Sequence, residues 1–252
     1  MTITPTFPGP RLRLTNLVVG AFHAAQAVAV LLLSNDFTTA VTAAYLTGPP
    51  GSAPGEQTVL FDLPFAEGVA GFLALSALFH WLIASPLFFD RYVRGVEEGR
   101  NHFRWVEYSL SSSLMIVLIA ALTGITDAAA LVALFGVNAA MIFFGALQEK
   151  YETPGGSLVP FWLGCVTGIM PWLAIGIYLV SPGSSARPPG FVYAIYGSLF
   201  AFFNVFALNQ WLQYRQVGRW RRYAFGESAY IALSLVAKSA LAWQVFGGTL
   251  AV

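Results

Sequence analysis

The sequence predicts an all-α membrane protein, a bundle of seven transmembrane helices, and three observations carry that prediction. Of the 252 residues, 57% are hydrophobic and only 10% are charged, where a soluble domain carries about 25% charged residues. Mean hydropathy is +0.66. Between clusters of Pro, Gly and charge lie seven stretches of about 20 mostly apolar residues, the length that crosses a bilayer. An ordinary water-soluble enzyme is thereby excluded, as is a disordered chain, which could not leave so much apolar surface in water. The formal net charge of +1 leaves no basic surface for nucleic acid. A single cysteine, Cys165, allows neither a disulfide framework nor a thiolate metal site, and no metal is expected.

The elements follow in order. The opening segment MTITPTFPGPRLRLTN lacks the basic start, apolar block and small-residue cleavage site of a signal peptide, so the chain is expected to insert whole, as one domain over residues 1–252. Spans are expected at 15–34, 66–88, 102–126, 128–148, 159–181, 190–213 and 228–248. The long connection 35–65 alternates Thr, Val and Tyr around a Gly-Pro-rich middle. That pattern predicts a short β-hairpin lying on the membrane in the first extracellular loop.

Basic residues set the expected orientation, because loops rich in Lys and Arg stay in the cytoplasm. Of the 13 Lys and Arg, Arg11, Arg13, Arg91, Arg94, Arg100, Arg104, Lys150, Arg215, Arg219, Arg221 and Arg222 fall on the side of the N-terminus. The opposite side has only Arg187, and its first loop carries Asp36, Glu56 and Asp62. The N-terminus is therefore expected in the cytoplasm and the C-terminus outside the cell membrane. The arginines around Arg219, Arg221 and Arg222 read as an orientation signal resting on anionic lipid, with a partner surface as the alternative.

The remaining basic residue is Lys238, ten residues into the last span and hence about 15 Å deep at a rise of 1.5 Å per residue. An ammonium there costs at least about 2.5 kcal/mol, so it needs a partner charge or a neutral form. One reading is an ion pair that ties two helices together. The other is a lysine that condenses with an aldehyde, since desolvation favours the neutral, nucleophilic amine. A counter-ion is available in Glu107 of span three, which shares a helix face with Arg104 and Ser111. Ser234 lies one turn before the lysine, as a second hydroxyl or as a serine bonded back to its own helix.

His23 in span one and His80 in span two reach nearly the same depth, and Ser76 shares a face with His80. These histidines either bond neighbouring helices or line a hydrated cavity that takes up and releases a proton. The outer halves of the same spans are nearly all aliphatic or Phe, so no continuous proton path is expected. Trp162, Pro171, Trp172, Phe202, Phe203, Phe206 and Trp243 are either packing or the walls for a long conjugated ligand on Lys238.

Seven spans with a lysine in the seventh resemble the retinal-binding microbial rhodopsins, and RWVEY at 104–108 is similar to their third-helix pattern. Three departures stand out: Ser234 where pumping members have an acid, Leu118 where they often have a second acid, and a cytoplasmic N-terminus. With these departures, the stretches FRWVEYSLSSSLMIVLIA, FGVNAAMI, LQEKY, PGFVY and LSLVAKSALAWQ are similar to the heliorhodopsin family from about Asn16 to Leu250. The resemblance implies all-trans retinal on Lys238 as a protonated Schiff base with Glu107 as counter-ion. It also implies that Ser76, Ser111, Ser234, Asn138 and Trp243 surround the chromophore, and that His23 and His80 line a cytoplasmic cavity. A homodimer is implied in the lipid bilayer, with a slow photocycle and no pumping. The expected function is light sensing by isomerisation of retinal from all-trans to 13-cis, with an unidentified cytoplasmic signalling partner and no enzymatic activity. The alternatives are a light-gated proton channel or transporter, and a small carrier without chromophore.

Overall fold

The computed structural model describes residues 9–181, 183–185 and 187–251. The expectation about a leader falls partly on residues 1–8, which lie outside the described residues. Among the described residues, seven helices are long and apolar enough to cross a membrane, which makes this a multi-pass membrane protein: α1 (Gly9–Leu33), α2 (Phe65–Ala84), α4 (His102–Leu122), α5 (Ala128–Tyr151), α6 (Val159–Val180), α7 (Gly190–Tyr214) and α8 (Tyr223–Val245). Helix α8 runs on through a wider turn, Phe246–Leu250. The spans form a ring in chain order, closed by α8 against α1 and α2. Exposed Leu32, Val132, Val166 and Ile177 point outward, where lipid replaces water at no cost in burial.

Between α1 and α2 lies the expected hairpin, β1 (Thr38–Leu46) paired antiparallel with β2 (Pro54–Pro64). Its register slips between Val41 and Thr42 and between Ala44 and Leu46. The slips bend the ribbon and bring Thr42 N–H to the Thr126 carbonyl at 2.9 Å, just before α5. The hairpin is thereby fastened over one end of the bundle. Loop arginines gather at the opposite end, called here the arginine end.

One helix was not expected. The second span, expected to reach residue 88, stops at Ala84, where Ser85 turns to extended backbone ahead of Pro86, as residues before proline prefer. A short amphipathic helix, α3 (Phe89–Glu97), then lies across the arginine end with Tyr92 and Val96 buried. Its charged face holds Asp90, Arg91, Arg94 and Glu97, so no hydropathy window of membrane length detects it. Helix α1 also begins earlier than residue 15, at Gly9. Arg13 there donates from Nε to the Ala84 carbonyl at 2.9 Å and sits over the Phe89 ring.

Caps fix the entries of the two helices that matter most. The Asn101 side chain accepts from Arg104 N–H at 3.1 Å to start α4, and Asp127 accepts from Ala130 N–H at 2.9 Å to start α5. Between them Gly124, at φ +99°, makes the tight reversal that L side chains resist. Helix α4 is the most buried span. Towards the hairpin end its Ile116, Leu118 and Ile119 meet Phe65, Val69, Leu73, Ile175, Ile195 and Leu241 in one apolar core.

Candidate functional site

Lys238, near the middle of α8, points between α2 and α4. Its Nζ lies 2.5 Å from Glu107 Oε1 and within bonding reach of Ser76 Oγ. Ser76 in turn donates to the same carboxylate oxygen at 2.7 Å. Only 7% of Lys238 and 5% of Glu107 is exposed, and the Tyr108 ring centroid lies 5.2 Å from Nζ. Burying either charge alone would be prohibitive; the pair, with a hydroxyl to satisfy it, is tolerable.

On one side of this pair opens a cavity of about 190 Å³ between α4, α5, α6, α7 and α8, with Lys238 and Ala237 in its lining. Its walls are apolar and aromatic: Trp105, Tyr108, Met115, Met141, Phe161, Trp172, Leu199, Phe202, Phe203 and Phe206, with Ser111 and Ser112 on α4. Small residues keep the space open. A Cβ on Gly168 would collide with the Met141 side chain, and one on Gly145 would lie 2.7 Å from the Trp105 ring. Pro171, buried within α6, precedes Trp172, whose ring meets Tyr196, Phe200 and Phe203 edge-on.

Most of the residues singled out in the sequence converge here. Ser111 lines the large cavity and Ser234 a smaller one, and both hydroxyls are buried without a hydrogen-bond partner among the described residues. Phe206 lies in the wall, edge-on to Tyr108 at 5.4 Å between centroids. Asn138 stands behind the wall, donating to Ser112 Oγ at 2.8 Å and Ser113 Oγ at 3.1 Å. His23 and His80 do meet, their rings stacked at 5.7 Å. His80 Nδ1 is 2.7 Å from Asn16 Oδ1, while neither ring nitrogen of His23 has a partner among the described residues.

Two aromatics are placed elsewhere. Trp243 is 41% exposed and donates to Gln26 Oε1 at 3.0 Å on the outer face of α1 and α8; five residues past Lys238, it is more than a full turn further round the helix. Trp162 is 55% exposed and faces outward. Neither lines the cavity.

A second charge centre was missed. Arg104 does not pair with Glu107, one turn along α4, but with Glu149 of α5 and Glu227 of α8. Glu149 also accepts from Tyr223 Oη at 2.7 Å, Trp105 Nε1 at 2.6 Å and Asn101 N–H at 3.1 Å. Glu227 Oε1 accepts from Asn101 Nδ2 at 2.7 Å and from Tyr92 Oη at 3.0 Å. Burial, reinforced by Glu227, pushes the Tyr92 phenol on α3 well above its ordinary value. Glu149 and Glu227 stand at span ends, where an acid reads as a loop residue. No sequence signal joins them: Trp105 and Tyr223 donate to Glu149 from two other helices.

The chemistry of this arrangement is that of a buried amine, held by one carboxylate, in the wall of an aromatic slot. It fits a long conjugated aldehyde attached at Nζ. No curated protein matches the chain in a sequence comparison. The family model described as Heliorhodopsin matches residues 12–250, nearly the whole chain, and the chain therefore belongs to the heliorhodopsin family, whose members are retinal-binding, light-sensing rhodopsins.

Proposed function

We propose that this protein is a non-pumping photoreceptor in which retinal is bound covalently at Lys238 with Glu107 as counter-ion. The observation that carries the reading is the 2.5 Å pair of Lys238 Nζ and Glu107 Oε1, with Lys238 in the wall of the aromatic cavity. Bound there as an imine, retinal supplies absorption of visible light and isomerisation from all-trans to 13-cis. The chain's own residues do the rest. Trp172, Phe202, Phe203 and Phe206 hold the slot apolar and exclude water from it. Glu107 keeps the proton at Nζ in the dark, and Ser76 fixes the carboxylate by donating to the oxygen that faces Nζ.

With retinal bound and excited by light, Glu107 would take the proton from Nζ and pass it towards the polar arginine end, where Glu107 itself, His80, Asn16 and Ser234 line a small cavity. Towards the hairpin end the buried surroundings are Phe65, Val69, Phe72, Leu73, Ile116, Ile119 and Leu241, an apolar barrier to a proton. The proton returns by the side it left, which favours a sensor over a pump, channel or transporter. Loss of the ion pair then biases the packing of α8 against α2 and α4. We place the N-terminus and the arginine end in the cytoplasm, from the loop charges, and take the working form in the bilayer to be a homodimer that acts on a cytoplasmic signalling partner.

Retinal reconstitution tests the reading. The purified protein should acquire a visible band and Lys238→Ala should stay colourless; a band retained by Lys238→Ala overturns it. Voltage-clamp recording under illumination should show no sustained current, and a steady light-driven current would favour a conductor.

A further inference from the structure

Between the two charge centres lies a second cavity of about 30 Å³, enclosed by α1, α2, α4 and α8. Glu107 and Ser234 line it on one side, Arg104, Asn101 and Glu227 on the other. It has room for at least one water, with several polar groups to hold it. The large cavity, by contrast, reaches neither Glu107 nor Glu227.

The centre around Arg104 is unbalanced. One guanidinium faces two carboxylates, so with both acids ionised the cluster carries one excess negative charge in a low-dielectric interior. The two acids are not equivalent. Each oxygen of Glu149 accepts two hydrogen bonds: Oε1 from Arg104 and Tyr223, Oε2 from Trp105 and Asn101. Glu227 Oε1 likewise accepts two, from Tyr92 and Asn101, but Oε2 accepts only from Arg104 among the described residues. A carboxylate oxygen with two donors has little room for a proton, so Glu227 Oε2 is the open position. The other titratable groups facing it are Tyr92 on α3, Tyr108 on α4, Tyr223 and Tyr230 on α8, and His80 on α2 across the small cavity.

We propose that Glu227 is a proton-binding site, the store for the proton that leaves Lys238 Nζ in the light. This rests on the proposed photoreceptor function. The N–H bond at Nζ breaks as an O–H bond forms at Glu107. Glu107 then passes the proton through the small cavity to Glu227 Oε2 and is ionised again. At the end Nζ is neutral, Glu227 is a neutral acid beside Arg104 and Glu149, and the total charge is unchanged. Uptake removes the excess negative charge of the cluster and weakens the bond between α4 and α8 that Glu227 makes through Arg104.

Infrared spectroscopy tests this in two ways. In the retinal-free protein, lowering the pH should raise a carboxylic-acid C=O band that Glu227→Gln removes and Glu149→Gln leaves. With retinal bound, the same band should rise on illumination as Nζ loses its proton and should be absent in Glu227→Gln. Size-exclusion profile and helical circular dichroism establish that each variant is folded. Should Glu227→Gln not fold, Tyr92→Phe, which removes one donor from Oε1, must shift the frequency of the band. A band indifferent to Glu227→Gln, removed by Glu149→Gln or, in that case, unmoved in Tyr92→Phe overturns the proposal. Failure of the wild-type protein to take up retinal would instead overturn the photoreceptor reading, and the retinal-free titration would still decide whether Glu227 binds the proton.

Discussion

Ser76 and Lys238 compete for one oxygen: the hydroxyl donates to Glu107 Oε1 at 2.7 Å, and Nζ approaches the same atom at 2.5 Å. The cation is thus met by a carboxylate oxygen already oriented from a third helix, and four measurements follow from this and related contacts.

Removing Lys238 alone strands a buried anion. Lys238→Met should lower the stability of the retinal-free protein by about 3–5 kcal/mol, whereas the double variant Lys238→Met/Glu107→Leu should recover most of that loss. Thermal unfolding in detergent gives the comparison. Equal melting of the single and double variants would mean that the two charges are not coupled.

Glu107→Gln should move the visible band of the retinal-loaded protein to longer wavelength for as long as Nζ stays protonated, because the positive charge is no longer held at one end of the chromophore. An unchanged absorption maximum would remove Glu107 from its role as counter-ion.

Gly145→Ala puts a methyl 2.7 Å from the Trp105 ring. That ring cannot swing aside without breaking its 2.6 Å hydrogen bond to Glu149, so overpacking should cost about 1–3 kcal/mol. Gly168→Ala meets the flexible Met141 side chain instead and should be milder in stability but slower in retinal uptake. Melting temperatures and the rate of band formation separate the two effects.

Tyr92 supplies a pH dependence outside the spans. Its phenol titrates higher in the fold than in the unfolded chain, so the stability it contributes is complete below about pH 10 and is lost as pH rises towards the folded value. Tyr92→Phe should therefore lose less stability than the wild type on going above pH 10, as read from denaturant unfolding at stepped pH. An identical alkaline fall would show that Tyr92 does not contribute to it.

Much of this was legible in the sequence because membranes simplify the reading. Seven apolar windows, one lysine among them and one deep acid suffice to bring Lys238 and Glu107 together, and Thr-rich alternation suffices for the hairpin. What escaped depends on direction and on company. Arg104 and Glu107 share a face in a helical projection, yet Arg104 bonds to acids on α5 and α8 that spacing along α4 does not reveal. Trp243 has the right composition for a chromophore wall and the wrong angle around α8. Helix α3 was missed because its apolar residues, Tyr92 and Val96, form a stripe too short for a span.

Arg104 and Glu107 are three residues apart on one rigid rod. Because α4 carries an anchor for each charge centre, a twist of that rod that draws Glu107 from Lys238 swings Arg104 through the same angle against Glu149 and Glu227. The fold therefore gears the two centres to a common axle, and an event confined to the light-absorbing slot is delivered, without any intervening loop, to the helix ends beneath α3 and the arginine-rich turn.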